Sequence, residues 1–166
     1  GLTHVHHFYT KRNLFVLSNL VNNIKDIKEK DIRNKLTWSL TAIQNYINKK
    51  QSFGGGGGGV SGTLYIPSLI SEKNIYDTYR RKLNKNFKLN MSTNKHNSLI
   101  TTQSTLKLKE INNNSMDYIF TDPPFGANLN YSELSFIWEA WLKVITNNKT
   151  EAIVNNVQGK GLVEYQ

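Results

Sequence analysis

Thr121-Asp122-Pro123-Pro124-Phe125-Gly126 is the stretch whose residue types and spacing can do chemistry. It directly follows Asp117-Tyr118-Ile119-Phe120, an apolar run with strand character. The prolines fix φ and remove two N–H donors, so the backbone neither continues a ladder nor enters a helix interior there. Carbonyls are left pointing outward beside the Asp122 carboxylate. Two such acceptors, Asp122 and the Pro123 carbonyl, can hold the two hydrogens of an amino group. Phe125 adds a flat face for a planar base. The block therefore suits the exocyclic amine of a nucleobase. The same four residues also suit a strand-ending Pro-Pro turn with a capping Asp, and the flanking elements have to decide.

The flanks are read from hydrophobic periodicity. Thr10 caps an expected helix from Lys11 to about Ile24, with Leu14, Leu17, Val21 and Ile24 as its buried stripe. A second helix is expected from about Lys28 to Lys49, with Ile32, Leu36, Leu40, Ile43 and Ile47 on one face. Trp38, Ala42 and Tyr46 make a second apolar line on its other side. Gly54 to Gly59 break the pattern, since six consecutive glycines hold regular structure only at large entropic cost. A polar segment precedes them and Thr63-Leu64-Tyr65-Ile66 reads as a strand after them, the wrong order for a phosphate-cradling loop. Ser71 caps an expected helix carrying Ile75, Tyr79 and Leu83. Leu99–Thr102, Asp117–Thr121 and Glu151–Val157 read as strands. Leu134, Ile137, Trp138, Trp141, Leu142 and Ile145 stripe a closing helix as core. Strand, acidic Pro-Pro block, then helix is the order of an α/β domain whose chemistry lies beyond the strand carboxyl ends. That order favours the base-binding reading.

Composition bounds the partners. A chain of 166 residues with 38% hydrophobic content can bury a core, and its aromatic content argues against a disordered tail. No apolar run reaches bilayer length, no signal-peptide pattern opens the sequence, and no membrane partner is expected. Without cysteine there are no disulfides and no thiolate metal site, a usage compatible with the expected cytoplasmic location. His4, His6 and His7 lack a fourth ligand, so no metal is expected. The net charge of +9 favours a polyanionic partner, nucleic acid above all. Between Asp77 and Glu110 there is no acidic residue, while Arg80, Arg81, Lys82, Lys85, Lys88, Lys95, Lys107 and Lys109 fall there. Such segregation suits a face that tracks phosphates, led by Arg80, Arg81, Lys82 and Lys85, and equally a solvated helix end.

The Asp-Pro-Pro-Phe block resembles motif IV of S-adenosylmethionine-dependent, amino-methylating DNA methyltransferases. The likeness extends through Ser115–Gly126 and into Asn130-Tyr131-Ser132-Glu133-Leu134 with Trp138-Glu139. Phe8–Leu14 and Gly62–Leu69 are similar to a subgroup of DNA methylases from restriction-modification or defence loci. The resemblance implies a partial Rossmann-like methyltransferase domain, α/β with a sheet flanked by helices, after an N-terminal helical segment. Residues 1–50 would be that segment, 51–62 a glycine-rich loop, and 63–166 the catalytic part. It also implies S-adenosylmethionine as cofactor, DNA as partner, and adenine N6 as target ahead of cytosine. Asp122, Pro123, Pro124 and Phe125 would be its catalytic residues.

The family binds its cofactor through a strand followed by Gly-x-Gly, and no such unit stands here. It is expected upstream of Gly1, so the sequence reads as a piece of a longer methylase, or a degenerate one, inactive alone. Within it, Gln103 and Ser104 are the candidates for cofactor contact. The implied mechanism needs no covalent nucleophile. Accepting both amino hydrogens favours rehybridisation toward sp³ and exposes the lone pair for in-line methyl transfer, once the base has left the duplex. An RNA methyltransferase acting on a guanine amino group shares the Asp-Pro-Pro-aromatic block. A non-catalytic nucleic-acid-binding module with a relict site is the rival of another class.

Overall fold

The computed structural model describes residues 2–54, 64–88, 99–101, 103, 108–123 and 125–165. Gly55–Gly59, Thr63, Lys95, Thr102, Ser104, Lys107 and Pro124 lie outside them. The chain divides into two compact units, Gly1–Met91 with Leu134–Ile145, and Ser92–Glu133 with Thr146–Gln166.

The first unit is helical. α1 spans Lys11–Lys25, and the Thr10 hydroxyl accepts from the Asn13 N–H at 3.2 Å. That bond satisfies one of the free amides of the first turn. Leu17, Val21 and Ile24 are buried on one side. Asn13, also buried, donates to the carbonyls of Ile47 (3.1 Å) and Lys73 (3.2 Å), tying residues 47 and 73 to the first turn of α1. Arg12 and Thr10 both reach the Glu72 carboxylate, Arg12 at 2.9 Å.

The single long helix expected near Lys28–Lys49 is two helices, α2 (Lys30–Thr41) and α3 (Gln44–Ile47). Thr37, Ser39 and Thr41 each turn a hydroxyl back onto a carbonyl of the preceding turn, a contact that loosens a helix. The Thr41 carbonyl in turn accepts the Trp138 indole N–H at 2.9 Å. α4 spans Ile75–Asn86 and is capped by the Asn74 side chain, three residues past the expected Ser71 cap. Tyr79 donates to the Leu36 carbonyl at 3.0 Å, and Asn86 to the Ser39 hydroxyl at 2.8 Å, so α4 is bonded to α2 at two levels. Leu40, Ile43, Ile47, Ile75 and Tyr79 close the core beneath.

α5 spans Tyr131–Leu142, and its first three residues belong to the second unit. Ile137 is fully buried, with Phe136, Trp138 and Trp141 packed against the same core. The buried stripe stops sooner than its spacing predicts. Lys143 takes a left-handed conformation (φ 55°) that ends the helix, and Ile145 is left 93% exposed. Lys50 is buried with no carboxylate in ion-pair range among the described residues, its ammonium 6.0 Å from the Trp138 ring centroid. Desolvation lowers its pKa.

The described residues overturn the α/β expectation. No β-strand or sheet occurs among the described residues, only two isolated bridges, Ser52–Ile70 and Asn155–Lys160. A flanked-sheet, Rossmann-like fold is therefore not what this chain adopts. Leu64–Ile66, Leu99–Thr101 and Asp117–Thr121 lie in irregular backbone. A continuous apolar run such as Tyr118-Ile119-Phe120 makes a strand only when neighbours pair its backbone and cover both faces. These three side chains are 74–80% exposed, with no such neighbours among the described residues. In the Glu151–Val157 segment local polar chemistry outweighs strand propensity. The Asn155 side chain accepts from the N–H groups of Val157 and Gln158, a 3₁₀ turn follows, and left-handed Gly159 closes it. α6 (Leu162–Tyr165) ends the described chain. No helix among the described residues is long and apolar enough to cross a membrane.

Burial pushes the Tyr79 phenol up to about 12 from an ordinary 10.0, so the folded state disfavours its ionisation. The stability this contributes is complete below pH 10 and falls between about pH 10 and 12. The melting temperature is expected to drop across that window, and Tyr79→Phe to remove part of the drop. Identical pH profiles for the two proteins would show that Tyr79 ionises freely.

Candidate functional site

Asp122, Pro123 and Phe125 belong to the second unit, and all three are exposed. The Asp122 carboxylate makes no hydrogen bond or ion pair among the described residues, and the Phe125 ring is 70% exposed. An acidic acceptor and an aromatic face thus stand open to a ligand on one short stretch. Pro124, between them, lies outside the described residues.

The stretch is held from its carboxyl side. Asn128 N–H donates to the Phe125 carbonyl at 3.0 Å, a tight turn for which Gly126 takes φ 53°. A side chain at that φ would be strained, so glycine suits the position. The Gly126 carbonyl accepts from Val154 N–H at 3.1 Å, tying the turn to the 151–160 segment. That segment is anchored on the first turn of α5. Glu151 accepts from the Ser132 N–H at 2.9 Å and from its hydroxyl, placing a carboxylate at the helix N-terminus. Glu133 accepts from Asn155 (2.6 Å) and Gln158 (3.0 Å). Lys160 donates to the carbonyls of Glu151 (2.6 Å) and Asn148.

Glu133, Glu151 and Asn155 are the positioning residues that reading the sequence missed. The signal present was Ser132-Glu133 at the start of a strongly periodic helix. Their partners lie 19 to 25 residues downstream and have no fixed spacing to betray them.

Gln103, a candidate for cofactor contact, turns its amide onto the Thr101 hydroxyl at 3.2 Å. No hydrogen bond joins it to the Asp122–Phe125 stretch among the described residues. Ser104, its companion in that expectation, lies outside the described residues. Gly159, in the Gly-Lys-Gly run near the terminus, serves the Asn155–Lys160 turn instead of a cofactor fingerprint. No chemical step is assigned to a cofactor site here. His4, His6 and His7 pack ring against ring, with centroids 4.4–5.4 Å apart. No group of three potential ligands is placed to hold a metal among the described residues.

Arg80, Arg81, Lys82, Lys85 and Lys88 belong to the first unit, and Lys109 to the second. On α4, Arg80 faces the Asp77 carboxylate at 3.6 Å, whereas Arg81 spends its Nε on the Asp77 carbonyl at 3.2 Å. Arg81, Lys82 and Lys85 have no carboxylate within ion-pair distance among the described residues. Cations along one helix without counter-charges form a surface able to take phosphates. Arg80 is the one member of the expected quartet that is partly neutralised.

Replacing Lys82 and Lys85 by Ala is expected to weaken binding to any duplex alike and to lower the log–log salt slope by roughly one unit for each phosphate no longer neutralised. Arg80→Ala should change the slope less. Anisotropy titrations at several salt concentrations measure both, and an unaltered slope in the double variant would reduce these charges to solvated surface.

No family model, no curated protein and no solved structure matches this chain.

Proposed function

We propose that this chain supplies the target-base end of a DNA methyltransferase that modifies an exocyclic amine, adenine N6 ahead of cytosine, in a restriction-modification or defence setting. S-adenosylmethionine as methyl source, DNA as substrate and a cytoplasmic location belong to the same proposal. The observation that carries it is that the Asp122 carboxylate and the Phe125 ring are both open, three residues apart on the Asp-Pro-Pro-Phe block. Asp122 and the Pro123 carbonyl accept the two amino hydrogens, and Phe125 stacks on the extruded base. Stacking of that kind is worth ~1–3 kcal/mol, against a few kcal/mol lost when the base leaves the duplex. The uncompensated cations of α4 support a nucleic-acid substrate without identifying its sequence.

A second reading has its own observation. The lack of a sheet among the described residues favours a nucleic-acid-binding module whose Asp-Pro-Pro-Phe block is a relict. The two readings part on turnover.

Methyl incorporation into DNA from tritiated S-adenosylmethionine, by the protein as encoded, is the deciding measurement. Asp122→Ala is expected to lose ~10²–10³ in rate, the ordinary cost of removing one electrostatic contact to a reacting group. Near-wild-type incorporation by that variant would end the assignment. DNA binding with no incorporation by the wild type would establish the relict module.

Phe125→Trp should keep both turnover and the fluorescence rise of 2-aminopurine at the target position, since the pocket needs a π-face. Phe125→Ala should lose both. If the Ala variant retained them, stacking at this residue would be refuted.

A further inference from the structure

We propose that a groove between α3 and α4 holds a single nucleic-acid strand, its phosphates on the α4 cations and one base stacked on Tyr46. The proposal rests on the reading of α4 as a phosphate-contacting face, and adds the strand type and the stacking residue. The groove has a volume of about 640 Å³ and is lined by Lys73, Arg81, Lys82, Lys85 and Lys88, with Tyr46 on the opposite wall. No lining residue is acidic. Lys73, before α4, and Lys88, after it, extend the cationic lining beyond both ends of the helix.

Tyr46 is placed by the break between α2 and α3. Its neighbours Ile43 and Ile47 are buried at 1% and 2% exposure, so they anchor the turn while the Tyr46 ring stays 38% exposed. No cation covers that ring among the described residues, since the cation–π contacts are at Phe87 and Trp138. Ala42 and Ile43 add an apolar floor beside it. A positive groove with an aromatic platform is the arrangement that tracks single strands, because every base has a π-face and every phosphate a charge. The groove is the size of a small-ligand pocket. A duplex, with its bases stacked inside, offers no free face to Tyr46 and meets only the rim.

The test is fluorescence anisotropy of the whole 166-residue chain with a labelled single strand and with its duplex, adenosine monophosphate serving as competitor. The single strand is expected to bind more tightly than the duplex at equal salt. Tyr46→Ala should weaken single-strand binding about five- to hundredfold and leave duplex binding within about twofold, while Tyr46→Phe retains both. Equal losses on strand and duplex would overturn the proposal. So would displacement by the mononucleotide at concentrations matching the oligonucleotide.

If Tyr46→Ala has no effect while Lys82→Ala with Lys85→Ala weakens binding and flattens the salt slope, only the stacking inference falls. If neither matters, the reading of α4 falls with it. Should Tyr46→Ala lose its helical circular dichroism, photocrosslinking decides on the wild-type chain. A strand carrying 5-iodouracil should crosslink to Tyr46, and crosslinks confined to other residues would overturn the proposal.

Discussion

The Tyr9 hydroxyl is the interaction on which the first unit depends. It donates to Gln44 Oε1 at 2.6 Å and accepts from the Trp141 indole at 3.0 Å. Three segments separated by up to 132 residues therefore meet at one oxygen. Tyr9 and Gln44 are buried, and losing the hydroxyl would leave a buried acceptor and a largely enclosed indole N–H unmatched, at about 1–3 kcal/mol each. Burial also drives the Tyr9 pKa upward, outweighing the indole bond that lowers it, so the phenol stays neutral and keeps its donor. The T-shaped contact of the same two rings, 5.8 Å between centroids, adds packing to the bond. Asn13 does equivalent work in the first turn of α1, where its amide supplies the donor for the carbonyls of Ile47 and Lys73.

That polar framing explains what the sequence revealed and what it withheld. α1 was legible because its cap, its stripe and its end all lie within local reach of one another. α4 and α5 were legible for the same reason, though α4 takes its cap from Asn74 and α5 stops before Ile145. The break at Ala42–Ile43 was not legible. It depends on a carbonyl claimed by Trp138, 97 residues away. Periodicity alone accordingly places Tyr46 in a second apolar line, whereas its ring lines a basic groove.

The strand expectations failed through one physical fact. Strand character in a sequence is a statement about a pleated, covered surface, and it has no meaning for a segment without partners. Tyr118, Ile119 and Phe120 have the composition of a buried strand and the exposure of a loop. The Asp-Pro-Pro-Phe block needs no sheet for its local chemistry, since the acceptors and the aromatic face come from adjacent residues. It does need positioning, which among the described residues Gly126, Val154 and the Glu133 and Glu151 bonds supply from the carboxyl side.

On the proposed reading, support that among the described residues comes from the carboxyl side has an energetic consequence. Any ordering of a site on ligand binding subtracts from the affinity of the base contact. Asp122 and Phe125 would then choose the base while contributing little net binding. Affinity has to come from a surface already formed before the ligand arrives. α4 is such a surface, because Tyr79 and Asn86 bond it to α2. Arg81, Lys82 and Lys85 also have no ion-paired carboxylate among the described residues to surrender. Phosphate contacts of that kind carry affinity without sequence information, whereas base contacts carry selection. Loss of the α4 cations should therefore act on occupancy and loss of Asp122 on turnover, because they remove physically different terms.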